Sequence, residues 1–233
     1  VTGTRFELLQ RPGEQRIQKD RHGIGIHADG LVEKVRMRFA RPPNELGDIM
    51  LLNAKRSHLL VVDVQARLMP AIHEADSTLK NISVLLQAAF RLGVPVTVTE
   101  QYPKGLGPTV DSIAEALPAA TPVLPKTSFS AAGDPATAER VAGLRGEGRG
   151  QLVICGVESH ICVLQSALGF KDTGLDVFVV ADAVSSRSPH SVNAACARLL
   201  HAGCHWVTTE MVAFEWMERA ATEDFRALSP LFK

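Results

Sequence analysis

The strongest constraint on the fold of this chain is a series of short, almost unbroken apolar runs separated by segments with helical spacing. Residues 58–64 (HLLVVDV), 94–99 (VPVTVT), 151–155 (QLVIC) and 176–181 (DVFVVA) are the clearest runs, and residues 121–124 and 205–208 complete a set of six. A strand that is apolar at consecutive positions is expected to be buried on both faces. Between the runs, residues 79–92, 110–117, 135–144, 159–171, 190–202 and 211–220 read as helices, and Gly93, Gly174 and Gly203 mark three of their ends. This alternation predicts an α/β, three-layer Rossmann-like fold: a six-stranded parallel sheet with helices on both faces. In such sheets the site lies beyond the carboxyl ends of the strands.

Residues 1–57 do not share this pattern. Gly3, Gly13, Gly23, Gly25, Gly30 and the pair Pro42-Pro43 interrupt every periodic run. We therefore expect a poorly structured N-terminal extension over 1–57 and a folded domain over 58–233. The formal net charge of zero hides this division. Residues 1–57 hold 11 Lys/Arg and 7 Asp/Glu, while residues 58–233 hold 14 and 18. A further expectation concerns the start. The initial Val suggests a GTG codon, and Gly47-Asp48 can be encoded by a purine-rich, ribosome-binding-like sequence ahead of Met50. A true start at Met50 is expected, and the intact mass of the native protein tests it; a mass that includes residues 1–49 refutes it.

Charge and composition remove several function classes. Neither a strongly basic surface nor a basic, aromatic-interleaved patch points to nucleic acid. No run approaches the roughly 18 apolar residues of a membrane helix, and the N-terminus has no secretory h-region. The four cysteines, Cys155, Cys162, Cys196 and Cys204, suit neither a disulfide framework nor a zinc site. Glycine-rich phosphate-binding patterns are absent, so no cofactor is expected. A reduced, cytoplasmic protein is the expectation.

The strand-end rule selects Asp63, Glu100, Gln101, Tyr102, Lys126, Cys162 and Asp182. Cys162 follows Gly156-Val157-Glu158-Ser159 and falls in the first turn of a predicted helix. Positive potential at a helix N-terminus favours a thiolate. A buried structural cysteine is the commoner role for this residue type, and position alone does not separate the two. His160 cannot partner Cys162, because residues two apart on a helix do not face each other. His58, His73 and His190 read as surface or capping residues. A carboxylate is the better base. Asp63 sits just after a buried strand, where a charge is costly unless paired, and Lys126 is the candidate partner.

Five ordered motifs, VVDVQ (61–65), TEQYPKGLGPT (99–109), PKTSFSA (125–131), GVESHICVLQSAL (156–168) and ADAVSSRSP (181–189), resemble the isochorismatase-like cysteine hydrolase superfamily, in particular its isochorismatase-domain-containing subgroup. The resemblance implies a catalytic triad of Asp63, Lys126 and Cys162. It also implies a cis peptide before Glu158 and an oxyanion hole made by the backbone N–H groups of Glu158 and Cys162. By position, Gln65, Tyr102, Phe129 and Val157 would line the substrate pocket, although packing is the commoner role for each. The family's nicotinamidases carry an Asp/His metal site after the second strand. Here that loop reads Glu100-Gln101-Tyr102-Pro103-Lys104, without histidine, so no metal is expected. Family isochorismatases lack the cysteine, which argues against isochorismate as substrate. The resemblance further implies a homo-oligomer, to which Trp206, Phe214 and Trp216 could contribute an interface, core packing being their commoner role.

The expected activity is cleavage of a C–N bond in a small amide or related compound through a thioester. Two rivals share the fold: a catalytically silent binding or scaffold protein, and a thiol redox sensor. The sensor lacks an evident resolving cysteine, since Cys155 is predicted inside the sheet.

Overall fold

A computed structural model of the chain describes residues 51–232. The expected extension and the Met50 start lie outside the described residues, except for residues 51–57. These belong to the folded body: Leu52 is buried, its N–H donates to Glu215 Oε2 at 2.7 Å, and the Asn53 N–H donates to Gln151 Oε1 at 2.8 Å. The body therefore begins before His58, held by side chains from distant segments.

Six parallel strands form the sheet: β1 (Ser57–Val62), β2 (Val96–Gln101), β3 (Val123–Lys126), β4 (Gln151–Val157), β5 (Asp176–Ser185) and β6 (His205–Val207). Their order is β3-β2-β1-β4-β5-β6, so the topology reverses between β1 and β4. That is the position at which a doubly wound sheet opens a crevice. The helices are α1 (Ala75–Arg91), α2 (Pro103–Leu106), α3 (Asp111–Ala114), α4 (Pro135–Gly146), α5 (Leu164–Asp172), α6 (Pro189–His201), α7 (Thr209–Met217) and α8 (Glu223–Leu228).

The consecutive apolar residues of each strand serve two cores. Leu59, Val61, Val153, Cys155, Phe178 and Val180 pack on one side, with Ile82, Leu85 and Leu86 of α1 and Val212 and Trp216 of α7. Leu60, Val62, Leu152, Ile154, Val177 and Val179 pack on the other, with Val141 of α4, Ala167 and Phe170 of α5 and Leu199 of α6. This is the alternation that a pleated strand imposes on its side chains, and it yields the expected three layers.

Several boundaries differ from the sequence expectation for physical reasons. β3 includes Pro125 because it is an edge strand with one neighbour and can lose a donor. The predicted helix over 159–171 is two elements, a π-helical turn at Ser159–Val163 followed by α5. β5 runs on to Ser185, so Asp182 lies inside a strand, where its Oδ1 accepts from the N–H and Oγ1 of Thr209. His58 is fully buried in β1 and not at the surface. Burial lowers its pKa to about 4. His73 and His190 are exposed, as expected. Trp216 packs in the core and donates its indole N–H to Ser57 Oγ, whereas Phe214 is partly exposed against the rings of Phe225 and Phe232.

Gly156 allows β1 and β4 to meet closely at the switch point. At φ +115° it adopts a conformation that favours glycine, and a Cβ there would lie 2.1 Å from the Val62 carbonyl oxygen. Gly156→Ala is expected to destabilise the protein by about 3 kcal/mol or more. A urea-unfolding midpoint unchanged from that of the unsubstituted protein would refute this reading of the β1–β4 contact.

Candidate active site

Asp63 directly follows β1 and takes a left-handed conformation (φ 54°) that turns the chain out of the sheet. Its N–H still donates to the Thr99 carbonyl at 3.1 Å. Its carboxylate is fully buried and doubly held: Oδ1 accepts from Thr99 Oγ1 at 2.7 Å, and Oδ2 accepts from Lys126 Nζ at 2.7 Å. The Lys126 ammonium is equally buried. It also donates to Gln101 Oε1 at 2.7 Å and to the carbonyls of Phe129 and Ser128 at 3.2 and 3.3 Å. A buried ion pair of this kind is tolerable only when its remaining hydrogen-bonding capacity is met.

Cys162 arrives from the other side of the switch point. It is 6% exposed and lies in the turn after β4. Burial, then the charge of Asp63, push its thiol up to about 12, while Lys126 pulls the other way. The sequence expectation of a thiolate favoured by a helix N-terminus is therefore corrected. The turn is π-helical, and desolvation beside a carboxylate outweighs any dipole. The resting thiol carries its proton.

The turn geometry exposes backbone donors. The peptide bond between Val157 and Glu158 is cis, as the family resemblance implied. The Glu158 carbonyl accepts from the N–H groups of Ile161 and Val163, bypassing Cys162 between them. Among the described residues, no acceptor is found for the Glu158 N–H.

Thus Asp63, Lys126 and Cys162, which come from the ends of three different strands, meet at one point. Thr99 and Gln101 complete that cluster and were not assigned a role from sequence. They stand two apart on β2 and so share a face, and the register pairs Thr99 with Val62 and Gln101 with Lys126. The strand-end rule singles out Gln101 without a role; only the register reveals Thr99 and the partner that Gln101 meets.

The four residues expected to line a pocket separate into two groups. Tyr102 and Phe129 are exposed, at 54% and 55%, and their backbones touch Lys126. Gln65 is buried and structurally committed: its Nε2 donates to the Gln101 and Gly107 carbonyls, and its Oε1 accepts from the Gln101 N–H. Val157 is fully buried among the apolar residues on the α1 side of the sheet. A cleft side chain there is corrected to a core one, because an inward-facing strand position leaves no open face. Glu100, also a strand-end candidate, lies within β2, and its Oε1 accepts from the Thr109 N–H and Oγ1.

Among the described residues, no three His, Cys, Asp or Glu side chains come together as metal ligands would. No helix among them is long and apolar enough to cross a membrane.

A family model for the isochorismatase domain matches residues 57–211. The chain belongs to the isochorismatase family. Isochorismatase domain-containing protein 2 of Danio rerio is 38% identical over 182 residues, covering 77% of this chain and 88% of the relative. MAR1 ribonuclease of Caenorhabditis elegans superposes with a TM-score of 0.72 at 33% identity, over 78% of this chain and 91% of that one. The YcaC gene product of Escherichia coli, described as an octameric hydrolase of unknown specificity, gives a TM-score of 0.73 at 27% identity, over 80% and 91%. The family match and these neighbours support a hydrolase family.

The raised thiol pKa has a direct consequence. Because the neutral thiol is favoured in the folded protein, thiolate accumulates only as the pH climbs from the ordinary thiol range towards about 12. Alkylation of Cys162 by iodoacetamide, followed by peptide mass mapping, should accelerate throughout alkaline pH. A rate that is already level at neutral pH would show a standing thiolate and overturn the assignment.

Proposed function

We propose that the chain is a cysteine hydrolase that cleaves a C–N bond of a small amide or related compound through a thioester on Cys162. The observation that carries this reading is the fully buried Asp63–Lys126 pair, whose two charges act on the nearby thiol of Cys162. A structural cysteine has no need of two buried charges.

As the thiol sulfur attacks the carbonyl carbon, its proton passes to the Asp63 carboxylate and the S–C bond forms. Lys126 holds the carboxylate in place and keeps a positive charge beside the sulfur. The oxyanion of the tetrahedral intermediate rests on the N–H groups of Glu158 and Cys162, which lie in the turn where helical bonding is interrupted. The C–N bond breaks, and the amine leaves with the proton held by Asp63. Water then adds to the thioester, releasing a carboxylic acid and restoring the thiol. Tyr102 and Phe129, exposed beside Lys126, are the side chains we assign to substrate contact. Gln65 acts behind them by fixing the loop, and Val157 contributes backbone only.

The absence of an Asp/His metal set in the loop after β2 favours a metal-free reaction, and Cys162 favours an amide over the vinyl ether of isochorismate. We further read a homo-oligomer working in the cytoplasm on a small molecule. The octameric Escherichia coli relative supports the first point. The four free cysteines, Cys155, Cys162, Cys196 and Cys204, suit a reducing compartment.

A panel of small amides, ureas and carbamates assayed for amine release is the test. Cys162→Ala and Asp63→Ala should each lower turnover by at least about 10³-fold, the scale of loss for a nucleophile or its base. Retained release in either variant, or the absence of a Cys162 acyl adduct by mass spectrometry during turnover, would sink the proposal.

A further inference from the structure

The turn that carries Glu158 and Cys162 is held from the side by the end of β5. The last register pair between β4 and β5 is Val157 with Ser185. Beyond it, side chains take over from the ladder. Glu158 Oε2 accepts from the Arg187 N–H at 3.2 Å and from Arg187 Nε at 3.0 Å. Two residues along the turn, His160 Nδ1 lies 2.9 Å from Ser186 Oγ. Consecutive residues of one segment thus grip the turn on both sides of Ser159. The gripping segment is itself anchored: the Ser186 carbonyl accepts from the His73 N–H at 2.9 Å, and Ser185 Oγ donates to the His73 carbonyl at 2.6 Å.

The Glu158–Arg187 pair is lopsided. The carboxylate side chain is 8% exposed, while that of Arg187 is 62% exposed. A pair with one partner in water adds little to folding stability. Its geometry has another consequence. The Glu158 N–H has no acceptor among the described residues, so no backbone bond orients it. The side chain of the same residue is fixed by a charge-assisted bond and a backbone donor. Whatever fixes the side chain therefore helps to fix the direction of that N–H.

We propose that Arg187, through its double hold on the Glu158 carboxylate, is a positioning residue for the Glu158 N–H that receives the oxyanion. Ser186 steadies the far side of the turn through His160. The inference rests on the hydrolase reading above, and two reagents separate the fates of the two.

Iodoacetamide alkylates the thiol by displacing iodide: the S–C bond forms as the C–I bond breaks, and no oxyanion arises. p-Nitrophenyl acetate acylates it through a tetrahedral oxyanion. In that step the S–C bond forms, the thiol proton passes to Asp63, and the C–O bond to p-nitrophenolate breaks. Arg187→Ala should lower the rate of Cys162 acetylation at least about tenfold while leaving alkylation within about twofold of the unsubstituted protein. Glu158→Gln keeps an acceptor but loses its charge, and should give a smaller, equally selective loss. The alkylation rate reports an intact thiol environment in both variants. Equal losses in the two reactions, or no loss of acetylation, would overturn the positioning role. Acetylation of the unsubstituted protein no faster than that of Cys162→Ala would overturn the hydrolase reading, and this inference with it.

Discussion

Asp63 and Lys126 meet at 2.7 Å with both side chains fully out of water, and much of the surrounding structure follows from that contact. Two charges in a low-dielectric interior must find every hydrogen bond within the protein. Thr99 supplies one to Asp63; Gln101 and two carbonyls of the loop after β3 supply three to Lys126. Those partners hold their places only if β1, β2 and β3 keep their register, because Thr99 and Gln101 face the pair from alternate positions of β2. A slip of one residue would turn both away and leave two buried charges unsatisfied. The ion pair therefore acts on the sheet as a register constraint as well as a local contact. A well-packed apolar pair could fill the same volume at no loss of stability. Folding alone gives no reason for this arrangement, whereas chemistry at an adjacent thiol does.

The layers of the fold were legible because a parallel sheet buries its strands on both faces, and runs such as HLLVVDV cannot be satisfied otherwise. Asp63 and Lys126 were legible for a related reason: charged residues at the ends of buried runs are costly unless they meet. Cys162 was singled out instead by its place in the first turn after a strand and by the family resemblance. What was not legible depends on pairing across strands. Thr99 looks like an ordinary strand residue, and Gln101 like a strand-end residue without a role, until the register sets them beside Asp63 and Lys126. Val157 reads as a cleft residue until its face of β4 is known. His58 reads as a surface residue because histidine usually is one, and only the position of β1 between β2 and β4 buries it. The end of β5 was missed because Asp182 resembles a strand terminus, although its carboxylate is committed to Thr209.

The thiol shows how competing local effects are decided by magnitude. From sequence, a cysteine opening a helix should be acidified. In the structure the first turn is π-helical, its backbone donors are partly diverted, and the sulfur is buried beside a carboxylate. Desolvation shifts a fully buried group by several pKa units. A helix terminus contributes typically 0.3–1 kcal/mol, roughly 2 at best. The larger effect wins, and the neutral thiol is the resting form.

A neutral resting thiol is compatible with a reactive one because of how the three groups share charge. Before proton transfer the cluster holds a carboxylate, an ammonium and a thiol. After transfer it holds a carboxylic acid, an ammonium and a thiolate. The net charge is zero in both states, so the proposed step moves charge within the pocket without importing or expelling any. Lys126, hydrogen-bonded to Asp63 and with its charge felt at the thiol, stabilises whichever of the two acids is ionised. The barrier to forming the nucleophile is then set by the difference between two hydrogen-bonded arrangements of one proton. It is not set by the cost of creating an isolated buried anion, which would be far larger. In the proposed step, as the S–C bond forms, negative charge would leave the sulfur for the carbonyl oxygen and pass from the Lys126 side of the pocket to the turn at Glu158. Stabilisation of the anion must be handed from a side-chain ammonium to backbone N–H groups over the course of one step. That hand-over needs both sets of donors to be fixed beforehand, Lys126 by its four acceptors and the turn by Ser186 and Arg187, which follow β5.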